Sequence, residues 1–167
     1  PQPSRTKTLV IAPAGRPALP PFPGIKEIDY GTSDTLWHLE QLPRRLLVLG
    51  GGAIGCELAQ AFKRLGSEVI QVEMLPRLLA NEDGEVSNEL EAAFRRDGIY
   101  VLTNCKAKSF ERNGNENILI CEDENGIQHI KFDQALIATG RRGQSEDLGL
   151  DTLGIEANQN GTIPVND

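Results

Sequence analysis

The sequence predicts an α/β protein of three layers: a parallel sheet, covering helices, and an antiparallel meander inserted before the last parallel strand. Three observations predict it. Residues 46–49 form a short apolar run that leads into Gly50-Gly51-Gly52-Ala53-Ile54-Gly55, after which Ile54, Leu58, Ala61, Phe62 and Leu65 recur at helical spacing. A second strand-like run, Ser67 to Val72, follows Gly66 and ends at Glu73. Asn113-Gly114 and Asn125-Gly126 then divide residues 104–132 into three strand-like runs, and both dipeptides favour tight hairpins.

The remaining elements follow from local signals. Residues 7–12 and 134–138 read as short apolar strands, each leading into a glycine-bearing turn. Between them, Pro17 to Gly24 is a proline-rich connector that suits neither a helix nor a central strand. Thr32-Ser33-Asp34 is expected to cap a short helix reaching about Leu39, and Pro43 ends that section. The helix after the glycines closes at Gly66. The next helix is expected to present Val86, Leu90, Ala93 and Phe94 on one face, to pair Glu91 with Arg95 on its solvated side, and to stop at Gly98.

Strand, tight turn and helix together make Gly50-x-Gly52-x-x-Gly55 a Rossmann-like phosphate cradle rather than a chance glycine cluster. Gly50 permits the sharp turn, Gly52 lets backbone approach a pyrophosphate, and Gly55 lets helix and strand pack closely. Gly51, Ala53 and Ile54 complete the cradle, where free amides and the helix dipole favour an anion. Glu73 follows Gly50 by 23 residues, close to the spacing of about 20 expected of the acidic ribose reader. Its carboxylate would accept hydrogen bonds from ribose hydroxyls and repel a 2′-phosphate, so NAD(H) is expected over NADP(H), with Met74 beside it. Arg77 is the residue type that NADP-binding versions use, but it comes four residues too late to replace Glu73. The alternative for Glu73 is an ordinary solvated charge.

Composition bounds what else the chain can be. Its 167 residues make one ordinary domain. A formal charge of −7 without any basic run argues against a nucleic-acid partner. No segment approaches the roughly 20 apolar residues that span a bilayer, so no membrane role is expected and a cytoplasmic location is the default. Cys56, Cys105 and Cys121 have no paired spacing, which implies neither a disulfide framework nor a metal site. Cys56 is expected to be a small buried side chain. His38 and His129 have no nucleophile motif nearby, so no catalytic residue is expected in this chain.

In this order the motifs resemble the pyridine-nucleotide domain of the flavoprotein disulfide reductases, the pyridine nucleotide-disulfide oxidoreductase family of dihydrolipoamide dehydrogenase, glutathione reductase and mercuric reductase. The matching stretches are Leu42 to Ala59, Val72 to Leu79, Ala135 to Arg142, and the tail from Leu148 to Val165. Tyr30 to Leu39 looks closest to mercuric-reductase-like members.

The resemblance implies that residues 1–43 lead in from a FAD domain, residues 44–141 form the NAD(H)-binding domain with its meander at about 104–132, and residues 142–167 return toward the FAD domain. It implies a parent flavoenzyme, a homodimer, in which hydride passes between NAD(H) and FAD and on to a disulfide or related acceptor. It also implies that Ala138, Thr139 and Gly140 approach the nicotinamide end, and that Glu57 faces the nicotinamide and pairs with a lysine of the FAD domain. The family's Cys-x4-Cys pair and its catalytic histidine, from the FAD and dimerisation domains, have no counterpart here. With Pro1 at the start, an excised central domain without turnover of its own is expected. The first hinge motif departs from the family's Ala-Thr-Gly, reading Ala12-Pro13-Ala14-Gly15. The competing expectation is a non-catalytic dinucleotide-sensing module.

Overall fold

The computed structural model describes residues 6–166. In chain order its elements are β1 (Gly15–Pro17), β2 (Tyr30–Gly31), β3 (Arg45–Leu49), α1 (Ala53–Leu65), β4 (Glu68–Val72), α2 (Gly84–Asp97), β5 (Tyr100–Leu102), β6 (Lys106–Asn113), β7 (Glu116–Asp123), β8 (Gly126–Phe132), β9 (Gln134–Ile137) and β10 (Arg141–Gly143). They belong to two compact units, residues 17–140 and residues 6–16 with 141–166. Residues 1–5 and 167 of the expected terminal segments lie outside the described residues.

The larger unit is built on a parallel sheet of order β2-β9-β3-β4-β5. Its register sets Leu46 beside Val69 and Gln134, and Leu49 beside Val72 and Ile137. Side-chain alternation along these strands serves two cores. Leu46, Val48, Val69 and Leu136 face α1 and α2, where they meet Cys56, Ala59 and Phe94. Leu47, Leu49, Val72, Ala135 and Ile137 face the meander and meet Phe110, Leu119, Ile130 and Phe132. Both faces of the sheet are covered, which is why its strands read as continuous apolar runs. The expected three-layer Rossmann-like architecture is present, with β6-β7-β8 as the antiparallel layer.

Several local expectations change. The buried side of α1 is Gly55, Cys56 and Ala59, while Leu65 is 67% exposed. Small residues let that face approach the sheet, while Leu58 and Phe62 of the expected face are half-buried against the same core. On α2 the buried positions are Ser87 and Phe94, and Val86 turns outward. The Glu91 carboxylate accepts the Leu78 N–H at 3.4 Å instead of pairing with Arg95. Thr32 to Asp34 do not cap an α-helix. Hydrogen bonds of the Thr32 and Thr35 hydroxyls shape a turn there, and one 3₁₀ turn, Leu36–His38, follows. The hairpin loops are Gly114-Asn115 and Glu124-Asn125, each offset by one residue, because Asn113 pairs with Glu116 and Asp123 with Gly126. Gly114 at φ 62 and Gly126 at φ 107 supply the left-handed backbone.

In the smaller unit β1 and β10 form a two-stranded sheet. Glu146 bridges Arg16 at 2.7 Å and Arg142 at 3.2 Å. Residues 7–12 are not a strand: Leu9 and Val10 are 62% and 84% exposed, and that stretch has no ladder partner among the described residues. Strand propensity without a facing edge leaves backbone groups to water. Ala14, within the altered hinge motif, adopts φ 61.

Candidate functional site

The site grows from the turn between β3 and α1. Gly50 donates its N–H to Val72 O at 2.8 Å and has φ 113. A β-carbon there would strike the Ala138 carbonyl, so only glycine is accommodated. The Gly51 N–H reaches sideways to Glu73 Oε2 at 2.5 Å. Gly52 caps α1 in extended backbone, and a β-carbon on it would meet no atom within 4 Å. No side chain caps α1, so its first amides face that open space. Gly55 sits where an added β-carbon would strike the Gly50 carbonyl, which fixes the close approach of α1 to the turn.

Glu73, at the C-terminal end of β4, is half-buried, and its Oε1 accepts the Leu75 N–H at 2.7 Å. The loop that follows is tied back to the turn and to α2. Leu79 N donates to Gly51 O at 2.7 Å, and the Ser87 hydroxyl donates to Leu78 O at 2.6 Å. Arg77 donates to Ala80 O at 3.0 Å, which braces the guanidinium on its own loop.

Two clefts open around these residues. The larger, about 380 Å³, is lined by Gly50 to Gly52, Glu73, Met74 and Ala138 to Gly140, together with Phe22 and Cys105 to Ala107. The smaller, about 210 Å³, is lined by Gly52, Ala53, Ile54, Ala138 and Gly140. They share Gly52, Ala138 and Gly140. Thr139 is held by its hydroxyl, which donates to Ala18 O at 3.2 Å. The structure thus gathers the expected residues around the clefts, except that Glu57 is exposed on α1 and lines neither, and Gly55 lies behind them in the close packing expected of it.

Phe22, Cys105, Lys106 and Ala107 were not legible as site residues. The latter three follow β5, a strand of only three residues with no alternation to betray it. Cys105 N donates to Glu73 O at 3.0 Å, which brings this stretch to the same sheet edge. The available signal is topological: in open parallel sheets, ligands bind beyond the carboxyl ends of the strands.

Burial pushes the Cys121 thiol up to about 12 and raises that of Cys105 as well. Both stay protonated near neutrality and supply no nucleophile. His38 and His129 are exposed and line neither cleft. Among the described residues no group of three metal-ligating side chains is present, and no helix is long and apolar enough to cross a membrane.

A βαβ sheet of this kind, with a glycine turn feeding a helix and a carboxylate at the next strand end, defines a Rossmann-like class of α/β domain. The sequence model of the pyridine nucleotide-disulphide oxidoreductase family matches residues 2–167, and the chain belongs to that family. It is 34% identical to a mercuric reductase of Staphylococcus aureus over 162 residues, covering 97% of this chain and 30% of that protein. It is 36% identical to a dihydrolipoyl dehydrogenase of Thermus scotoductus, covering 96% of this chain and 35% of the relative. Among solved structures, the HOCl-induced flavoprotein disulfide reductase RclA of Escherichia coli superposes with a TM-score of 0.82 at 28% identity, covering 93% of this chain and 35% of that one. The chain spans about a third of the length of these relatives.

Proposed function

We propose that this chain is the NAD(H)-binding domain of a FAD-dependent oxidoreductase of the family. The observation that carries the reading is the pair of clefts meeting at Gly52, with uncapped α1 amides at the junction and the Glu73 carboxylate in the larger one. A dinucleotide has that shape: two nucleoside ends joined by a pyrophosphate. The open space beside Gly52 suits the pyrophosphate, since no side chain intrudes and the helix dipole favours an anion. Gly51, Ala53 and Ile54 border it. Glu73 and Met74 flank the adenosine half, where the carboxylate accepts ribose hydroxyls and disfavours a 2′-phosphate. Ala138, Thr139 and Gly140 border the nicotinamide half, and Glu57 faces outward toward the flavin side.

In the whole enzyme a bound nicotinamide would supply hydride exchange with FAD, for which a disulfide or related acceptor would take the electrons. Residues 44–141 bind the nucleotide, while residues 1–43 and 142–167 connect to the FAD domain of a homodimeric, cytoplasmic parent. Calorimetric titration of the 167-residue chain with NADH and NADPH tests the reading. NADH is expected to bind more tightly, and equal or stronger NADPH binding would overturn the assignment.

A further inference from the structure

Gln71 is a polar residue in the middle of β4, 0% exposed, on the strand face it shares with Val69 beneath α1. Its amide Nε2 donates to Gly50 O at 2.9 Å and to Cys56 Sγ at 3.5 Å. The Cys56 thiol in turn donates to Gly51 O at 3.4 Å. Both amide protons are therefore used, and two successive carbonyls of the glycine turn are held from below by one side-chain pair. Burial pushes the Cys56 thiol up to about 11, so it keeps the proton it donates. The amide orientation follows from the contacts, because the reverse orientation would set Gln71 Oε1 against the Gly50 carbonyl.

That orientation leaves Gln71 Oε1 buried with no hydrogen-bond partner. An unpaired buried oxygen weakens a fold. Such violations of local consistency concentrate at functional sites. The compensating gain lies one layer above. Gly50 is in left-handed backbone and Gly52 opens α1, so the amides that would face a pyrophosphate depend on how these peptide planes are tilted. A turn tilted in advance binds without the cost of ordering itself.

We propose that Gln71, acting directly and through Cys56, is a positioning residue that presets the Gly50–Gly52 turn for the pyrophosphate of the dinucleotide. The inference rests on the NAD(H) reading above. It assigns the relay Gln71–Cys56–Gly51 to binding rather than to stability.

The test compares Gln71→Leu, Cys56→Ala and Cys56→Ser in the 167-residue chain by NADH titration and thermal unfolding. Gln71→Leu is expected to weaken NADH binding about five- to tenfold, the worth of one to two such hydrogen bonds, while its Tm changes little, because removal of the unpaired Oε1 offsets the donor lost to Gly50 O. Cys56→Ala should weaken binding about threefold, and Cys56→Ser, which keeps a donor, should recover most of the loss. Unchanged NADH affinity in Gln71→Leu overturns the proposal. So does a loss of affinity that tracks a lowered Tm, with Cys56→Ser no better than Cys56→Ala. If Gln71→Leu does not fold, the two Cys56 variants decide alone. Failure of the unmodified chain to bind NADH removes the NAD(H) reading itself, a result separate from normal binding by the unmodified chain with unaffected variants.

Discussion

The Glu73 carboxylate accepts the Gly51 N–H at 2.5 Å, so the acidic end of β4 and the glycine turn after β3 are one hydrogen-bonded device. A β-carbon on Gly51 would come within 2.9 Å of Glu73 Oε2, and glycine at that position is what allows the contact. The carboxylate that would read a ribose also holds the turn that would receive the phosphates.

Glu73→Ala is therefore expected to act twice. Loss of charge-assisted hydrogen bonds, each worth about 1.5–3 kcal/mol, should lower NADH affinity at least about tenfold and narrow the gap to NADPH. Titration with both nucleotides checks it. A variant that keeps the original preference would remove Glu73 from nucleotide selection.

The glycines of the turn should separate by phenotype. Gly52→Val points into open space and is expected to abolish NADH binding while leaving the melting temperature nearly unchanged. Gly50→Ala forces a β-carbon onto the Ala138 carbonyl at φ 113, and its cost should be paid in stability, about 1–3 kcal/mol. Thermal unfolding and NADH titration of the two variants distinguish these outcomes.

Acid should loosen the join between β3 and the β8–β9 connection. Asp133 accepts from Arg45 Nη2 at 2.6 Å and Nε at 3.0 Å, and also from the Arg45 backbone N–H at 2.9 Å. The side-chain hydrogen bond from Arg45 holds the Asp133 carboxyl below its ordinary value of 3.8. A depressed native value means that this contribution is complete above about pH 4 and is lost as pH falls through the native value. The pair is part-exposed, so its worth is about 1 kcal/mol. Asp133→Asn should lower stability by about that amount at pH 7 and flatten the fall below pH 4, as read from denaturant unfolding across pH.

Ala14 holds φ 61 in the altered hinge motif, whereas the corresponding place in Ala138-Thr139-Gly140 is a glycine at φ 134. An L residue in left-handed backbone costs about 1–2 kcal/mol. Ala14→Gly is expected to raise stability by up to about 1 kcal/mol after the added freedom of the unfolded chain is counted. A lower melting temperature would contradict a strained Ala14.

The βαβ unit, the glycine turn from Gly50 to Gly55 and the acidic strand end at Glu73 are legible in the sequence alone. Each depends on local chemistry: apolar runs long enough for a strand, glycines where backbone must turn or approach, and helix stops at Gly66 and Gly98 in left-handed backbone. The partners of those residues come from long-range packing. The close approach of α1 to the sheet was set by the fit of Gly55, Cys56 and Ala59. Residues 7–12 lacked a facing edge and formed no strand despite their propensity. Cys105 to Ala107 joined the cleft through the short β5, whose place at the sheet edge is set by pairing with β4. Gln71 reads in sequence as an interruption of an apolar strand, and its placement under the Gly50 and Gly51 carbonyls arises from contacts 15 to 21 residues apart. Local signals report what one residue demands of its own backbone; which distant group answers that demand is decided only when the sheet closes.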